Sequence, residues 1–186
     1  MKIIESFLNG VKLLEPTVYS DERGFFLESY SKKKFLELGI DYDFVQDNQS
    51  LSIKVGVLRG LHYQKPPMAQ TKLIRVISGE IYDVVVDIRI DSPTFGKWES
   101  FILNAKNKRQ LLVPTGFAHG FCTTLPNTEV VYKVDKYYSA EHDKGLCWND
   151  SELSIPWPAL SPILSEKDQS HPTLSIIKSE GFDWRV

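Results

Sequence analysis

His62 and Gln64 stand two residues apart, Lys72 follows, and Pro114-x-Gly116-x-x-His119 sets a second histidine on a turn. Gly56 and Gly79 frame the first of these segments. A divalent metal held on this spacing takes two histidines and a glutamate from the first segment and one histidine from the second. In this chain Gln64 replaces one of those histidines and Lys72 replaces the glutamate. An ammonium has no lone pair to offer a cation and repels it. Two histidines and a lysine in one pocket suit acid–base work on an organic substrate instead. Imidazole, with a reference pKa near ~6.5, is the natural base at neutral pH. Taken singly the residues have plainer readings: an isolated histidine is more often structural, and a lysine opening a strand is usually solvated.

The elements that must position them are mostly strands. Runs rich in β-branched and aromatic residues predict strands at 25–30, 57–64, 71–77, 80–89, 98–103, 110–113, 120–124 and 129–137. Ser78-Gly79 reads as a tight hairpin joining two of them. Ser31 is placed to cap a short helix over 32–38, with Gly39 as its stop. After Trp148, Pro156, Pro158, Pro162 and Pro172 predict an irregular wrap with one helical turn near Ser165. Short strands separated by Gly, Pro and Asn turns indicate an all-β sandwich or barrel, and residues 1–186 read as one domain. Alternation over 80–89 puts Asp83, Asp87 and Arg89 on one strand face. That face is either solvated or lines a polar cavity, where Asp83 could meet a ligand hydroxyl or hold a histidine.

Composition narrows the partners. A chain of 186 residues with 42% hydrophobic and 25% charged content is ordinary for a water-soluble domain. A net charge of −2 provides no general polycation for nucleic acid or membrane, so an anionic ligand must be met by local arginines and lysines. Met1-Lys2-Ile3-Ile4-Glu5 breaks its apolar run too early for a signal peptide, and no stretch nears the ~18 apolar residues of a membrane span. Cys122 and Cys147 lack Cys-x-x-Cys spacing and read as reduced thiols of a cytoplasmic protein, with one disulfide between them left open.

Longer runs carry a resemblance. They include Asp21-Glu22-Arg23-Gly24-Phe25-Phe26, Phe44-Val45-Gln46-Asp47-Asn48, Leu58-Arg59-Gly60-Leu61-His62 and Ala69-Gln70-x-Lys72-Leu73. Asp83-Val84-x-Val86-Asp87-x-Arg89, Pro114-x-Gly116-Phe117-Ala118-His119-Gly120-Phe121, Tyr132-Lys133, Tyr137-Tyr138, Trp148-Asn149-Asp150 and Leu164-Ser165-x-Lys167-Asp168 follow in order. Together they resemble the dTDP-4-dehydrorhamnose 3,5-epimerase family over nearly the whole chain. The resemblance implies a cupin-type jelly-roll β-barrel, usually a homodimer, that needs no metal or redox cofactor. It implies inversion at C3 and C5 of a dTDP-linked 4-keto sugar, with a single inversion or a CDP- or GDP-linked sugar as the alternative.

By that resemblance His62 is the base, Asp168 its carboxylate partner, Tyr132 the proton donor and Lys72 the stabiliser of the enolate. His119 would donate to a sugar hydroxyl or to the carbonyl, and Arg59 and Arg23 would meet the diphosphate. Glu28 and Gln46-Asp47-Asn48 would bind polar groups, Tyr138 would stack on the thymine, and Lys167 is a further binding candidate. Arg23, Phe26 and Glu28 would reach in from a second subunit. Asp143 stands where the family commonly has glutamate, so its contact is expected to be lost or remade through water, and Tyr138-Ser139-Ala140 lacks a proline often found there. Arg59 and His62 have opposite parity and cannot both point inward from a regular strand, which predicts a bulge at Gly60. Two other classes compete: a metal cupin such as a dioxygenase, for which His62 and His119 are too few ligands, and a non-catalytic sugar-binding cupin.

Overall fold

The computed structural model describes residues 1–181 and Trp184. Two antiparallel sheets face each other. The first runs β1 (Lys2–Phe7), β2 (Val11–Glu15), β10 (Gln110–Val113), β7 (Lys72–Ser78), β12 (Thr128–Val134) and β5 (Gln46–Ser52). The second runs β13 (Asp143–Gly145), β6 (Leu58–Gln64), β11 (Phe117–Thr123), β8 (Glu80–Asp87) and β9 (Trp98–Asn104). A separate hairpin, β3 (Val18–Asp21) with β4 (Gly24–Leu27), stands apart from both. The strand pattern's all-β sandwich is present, in the jelly-roll architecture that the resemblance implies, with the two sheets unclosed at their edges.

Apolar alternation explains the layers. Ile74 and Val76 of the first sheet meet Ile81, Val85, Phe101 and Phe121 of the second in a buried core between them. The opposite face of β8 turns Val84 and Val86 onto a second core, made with Leu146, Leu153, Ile155 and the apolar side of α2 (Leu174–Glu180). On the far side of the first sheet, Phe35 of α1 (Lys32–Glu37) covers Leu14, Leu73 and Leu112. Strands buried on both faces read as continuous apolar runs, and for that reason β8 is legible in the sequence while its environment is not.

Several expectations change here. Ser78-Gly79 is not a hairpin: β7 pairs with β10 and β12, whereas β8 pairs with β11 and β9. The chain passes from one sheet to the other at Gly79, whose φ is 76°. A Cβ there would lie 2.1 Å from Thr128 Oγ1, so only glycine admits the crossing. Ser31 occupies the N-cap of α1 but its side chain makes no capping bond. The expected single turn near Ser165 is present, with Gln169 N donating to the Ser165 carbonyl at 3.3 Å, and a helix the sequence does not announce follows as α2. Strands β1, β2, β3, β5 and β13 carry no signal strong enough to be read from the sequence.

The bulge at Gly60 is present. His119 pairs with His62 and Phe121 with Arg59, so the register slips by one residue along β6 against β11. Gly60 has φ 129°, and a Cβ there would sit 2.6 Å from Gly120 Cα and 2.9 Å from the His119 carbonyl oxygen. The close backbone approach therefore requires glycine.

Candidate active site

At one end of the space between the sheets lies a cavity of about 430 Å³, within the usual range for a small-molecule site. His62 from β6 and His119 from β11 line it from one sheet, and Lys72 from β7 and Tyr132 from β12 from the other. Arg59 stands beside them, with Ser165, Lys167 and Asp168 from the C-terminal wrap. Residues 106 positions apart meet because the proline-rich tail returns across β6.

Each histidine is backed by a carboxylate. His62 Nε2 donates to Asp168 Oδ1 at 2.6 Å, and His119 Nε2 lies 2.9 Å from both oxygens of Asp83. An ionised carboxylate only accepts, so Nε2 of His62 carries its hydrogen and Nδ1 is the nitrogen left to take a proton. Burial lowers the His62 pKa below the ordinary histidine value, against the opposing pull of Asp168. Burial would raise Asp168, yet its neighbours His171, His62 and Ser165 hold it well below the usual carboxylate range. Asp83 is fully buried, and that burial pushes its pKa up despite His119 and Lys72. The reading of the 80–89 face as solvated is thereby overturned: Asp83 holds a histidine, and Asp87 is consumed by Arg89, Ser92 and Thr94.

Lys72 is the electrostatic centre. Its Nζ donates to the His62 carbonyl at 3.4 Å, and burial brings its pKa down to about 8, partly offset by Asp143 and Asp83. Burial also raises Tyr132 above the ordinary phenol value, with Asp143 adding to the effect, so its hydroxyl keeps its proton.

The remaining candidates divide. Arg59 reaches the cavity rim and donates to Ser52 Oγ at 3.3 Å and the Leu51 carbonyl at 3.4 Å. Gln46 and Asn48 share a strand face and bond to each other at 2.8 Å, while Asp47 turns to the opposite face and pairs with Lys133. Gln49 and Ser50, which the sequence does not single out, line the cavity instead. Tyr138 donates its hydroxyl to Asp143 Oδ2 at 3.1 Å, and Lys167 pairs with the same carboxylate. Asp143 thus meets two direct donors within the chain. Arg23, Phe26 and Glu28 lie outside this cavity on or beside the β3–β4 hairpin. Arg23 pairs with Asp21, Glu28 pairs with Lys34, and Phe26 is 65% exposed.

Gln64 is hydrogen-bonded to backbone groups on all sides of its amide. Its amide nitrogen donates to the Met68 and Tyr137 carbonyls and its oxygen accepts from Ser139 N at 2.8 Å. It is spent pinning the loop that carries Tyr138. His62, Asp168 and His171 do bring three donor atoms within 4.8 Å of one another. Sequence reasoning misses His171; its i+3 spacing from Asp168 across a turn is the available signal.

A two-sheet jelly roll holding two imidazole–carboxylate pairs across from a half-buried lysine and a phenol defines a proton-transfer enzyme of the cupin type. The dTDP-4-dehydrorhamnose 3,5-epimerase family matches residues 5–175, and the chain belongs to that family. It is 52% identical over 169 residues to dTDP-4-dehydrorhamnose 3,5-epimerase of Shigella flexneri, covering 90% of this chain and 93% of the relative. A crystal structure of the Bacillus anthracis epimerase with TDP and pyrophosphate bound superposes with a TM-score of 0.92 at 61% identity, covering 92% of this chain and 98% of that one. The Legionella pneumophila enzyme in complex with dTDP-4-keto-L-rhamnose gives a TM-score of 0.91 at 46% identity, covering 96% and 95%. Among the described residues, no helix is long and apolar enough to cross a membrane.

Proposed function

We propose that this isomerase inverts C3 and C5 of dTDP-4-dehydro-6-deoxy-D-glucose, giving dTDP-4-dehydro-L-rhamnose. Inversion beside a ketone needs a base on one face, an acid on the other and a positive partner at the carbonyl oxygen. The observation that carries the reading is the facing of His62, on one sheet, by Lys72 and Tyr132 on the other. His62 Nδ1 takes the proton from carbon, and Asp168 steadies the imidazolium that forms. Lys72, with His119 beside it, stabilises the enolate oxygen, and one such donor is worth on the order of 10²–10³ in rate. Tyr132 returns a proton from the opposite side. The low His62 pKa and the raised Tyr132 pKa suit a free base and a protonated acid at neutral pH.

Arg59 and Lys167 are assigned to the diphosphate end, with Tyr138 and Asp143 at the nucleotide end and Gln46 and Asn48 on the wall toward it. A homodimer completes the site: Arg23, Phe26 and Glu28 of one copy enter the cavity of the other, which accounts for an exposed hairpin bearing Tyr19, Phe25 and Phe26. Asp47 serves that surface through Lys133 rather than the cavity. Residues 1–186 act as one domain with nucleotide sugar as ligand and neither nucleic acid nor membrane as partner. The two free thiols, Cys122 and Cys147, support a reducing, cytoplasmic setting.

Solvent-deuterium exchange tests the assignment. In D2O the dTDP-linked substrate is expected to gain label at both C3 and C5, with CDP- and GDP-linked sugars labelled far more slowly. Label at one carbon alone would overturn the double inversion. Equal turnover by wild type and His62→Ala would remove the base.

A further inference from the structure

His171 lies just behind the cavity, out of its lining, and no step above uses it. Its side chain is only 8% exposed, and its Nε2 makes no hydrogen bond of ordinary geometry. That nitrogen lies 3.5 Å from Asp168 Oδ1, the oxygen that accepts from His62 Nε2 at 2.6 Å. The two imidazoles stand edge-on, with centroids 5.5 Å apart and planes at 85°. Asp168 is thus bracketed by histidines on two sides.

The fold makes room for this ring at one position. Gly145 of β13 is the cross-strand partner of His62, and a Cβ there would sit 2.3 Å from His171 Cδ2 and Nε2. His171 therefore fills the space that a side chain next to His62 would take. The segment is tied down on both flanks: Asp168 N donates to Ser165 Oγ at 3.2 Å, and Cys147 N donates to the Pro172 carbonyl at 2.8 Å. An apolar residue would fill the same volume without burying an unmatched N–H. A polar nitrogen 3.5 Å from the carboxylate is what an imidazole adds there.

We propose that His171 is a positioning residue: it holds the Asp168 carboxylate against His62 and so sets the orientation and basicity of that imidazole. The inference rests on the reading of His62 as the base. Without His171, the Asp168 carboxylate loses one of the partners that hold it beside His62, and the pull of Lys72 and Lys167 toward the neutral form of that ring is less firmly opposed.

The test reads His62 directly. The Cε1 resonance of labelled histidine is titrated in substrate-free wild type, His171→Phe, His171→Gln and Gly145→Ala, and kcat and KM are measured for each. His171→Phe keeps a ring but loses the donor; its His62 midpoint is expected to fall by about half a unit. Its kcat should drop ~10-fold with KM within about twofold of wild type. His171→Gln places an amide nitrogen where Nε2 was and should recover most of both. Gly145→Ala, which displaces the ring without touching the cavity lining, should reproduce His171→Phe. If His171→Phe unfolds, His171→Gln and Gly145→Ala carry the comparison alone. An unmoved midpoint with wild-type kcat in folded His171→Phe or Gly145→Ala overturns the proposal. So does stoichiometric, micromolar Zn²⁺ binding that is lost in His171→Phe, which would make the trio a cation site. A shifted midpoint alongside full activity in His62→Ala would sink the base assignment while leaving the positioning intact.

Discussion

Exchanging Lys72 for arginine keeps a cation in the cavity but removes its titration. In the wild type, burial brings the Lys72 pKa down to about 8. If the enolate needs that charge, kcat/KM follows the protonated fraction, which is about ten-elevenths one unit below that pKa and about one-eleventh one unit above it. Activity should therefore fall about tenfold between pH 7 and pH 9. Tyr132 cannot produce this limb, because its own pKa is raised above the ordinary phenol value. The acid limb should lie below the ordinary histidine value, since burial lowers His62. The stability of the fold should move the other way. A lysine whose folded pKa lies below its unfolded one makes the unfolded chain bind more protons over the window between them. Stability thus rises by up to a few kcal/mol as pH climbs from about 8 toward 10.5. Loss of activity with gain of stability separates titration of Lys72 from unfolding. The assay is kcat/KM against pH for wild type and Lys72→Arg, with chemical denaturation at each pH. Arginine stays charged throughout, so its alkaline limb should vanish even at lower absolute activity. A limb near pH 8 that persists in Lys72→Arg, or a wild type still fully active at pH 9, refutes the reasoning.

Four further outcomes are expected. Tyr132→Phe should still exchange the substrate's acidic hydrogens with D2O yet form the inverted product at least about tenfold more slowly, as read by NMR of the sugar. Asp168→Asn, which removes the charge behind His62, should lower kcat by about 10²-fold with little change in KM in steady-state assays. Gly60→Ala forces a Cβ against the Gly120 backbone at positive φ; it should cost about 1–3 kcal/mol in denaturant unfolding and lower kcat/KM by displacing Arg59 and His62. Prolonged dialysis against a chelator should leave turnover unchanged, because the Lys72 ammonium has no lone pair for a cation and Gln64 is hydrogen-bonded to backbone groups.

What the residues declared in isolation was local. β-Branched runs announced most central strands, and the opposite parity of Arg59 and His62 announced the bulge that lets both line the cavity. The replacement of metal ligands by Gln64 and Lys72 was equally plain, since the identity of a donor atom does not depend on the fold. Side-chain chemistry and backbone sterics act over a few bonds, so they survive in a linear reading. Long-range packing made the other decisions. Ser78-Gly79 has the composition of a hairpin, but the pairing of β7 and β8 with strands of different sheets makes it a passage between them. Gln46, Asp47 and Asn48 form one motif in the chain and two faces in the strand, divided by their pairing with β12. His171 acquires a role only because Gly145, across the strand from His62, leaves it room. Burial, which moves the pKa values of Lys72, His62 and Tyr132, is a sum over neighbours distant in sequence, and no window along the chain contains them.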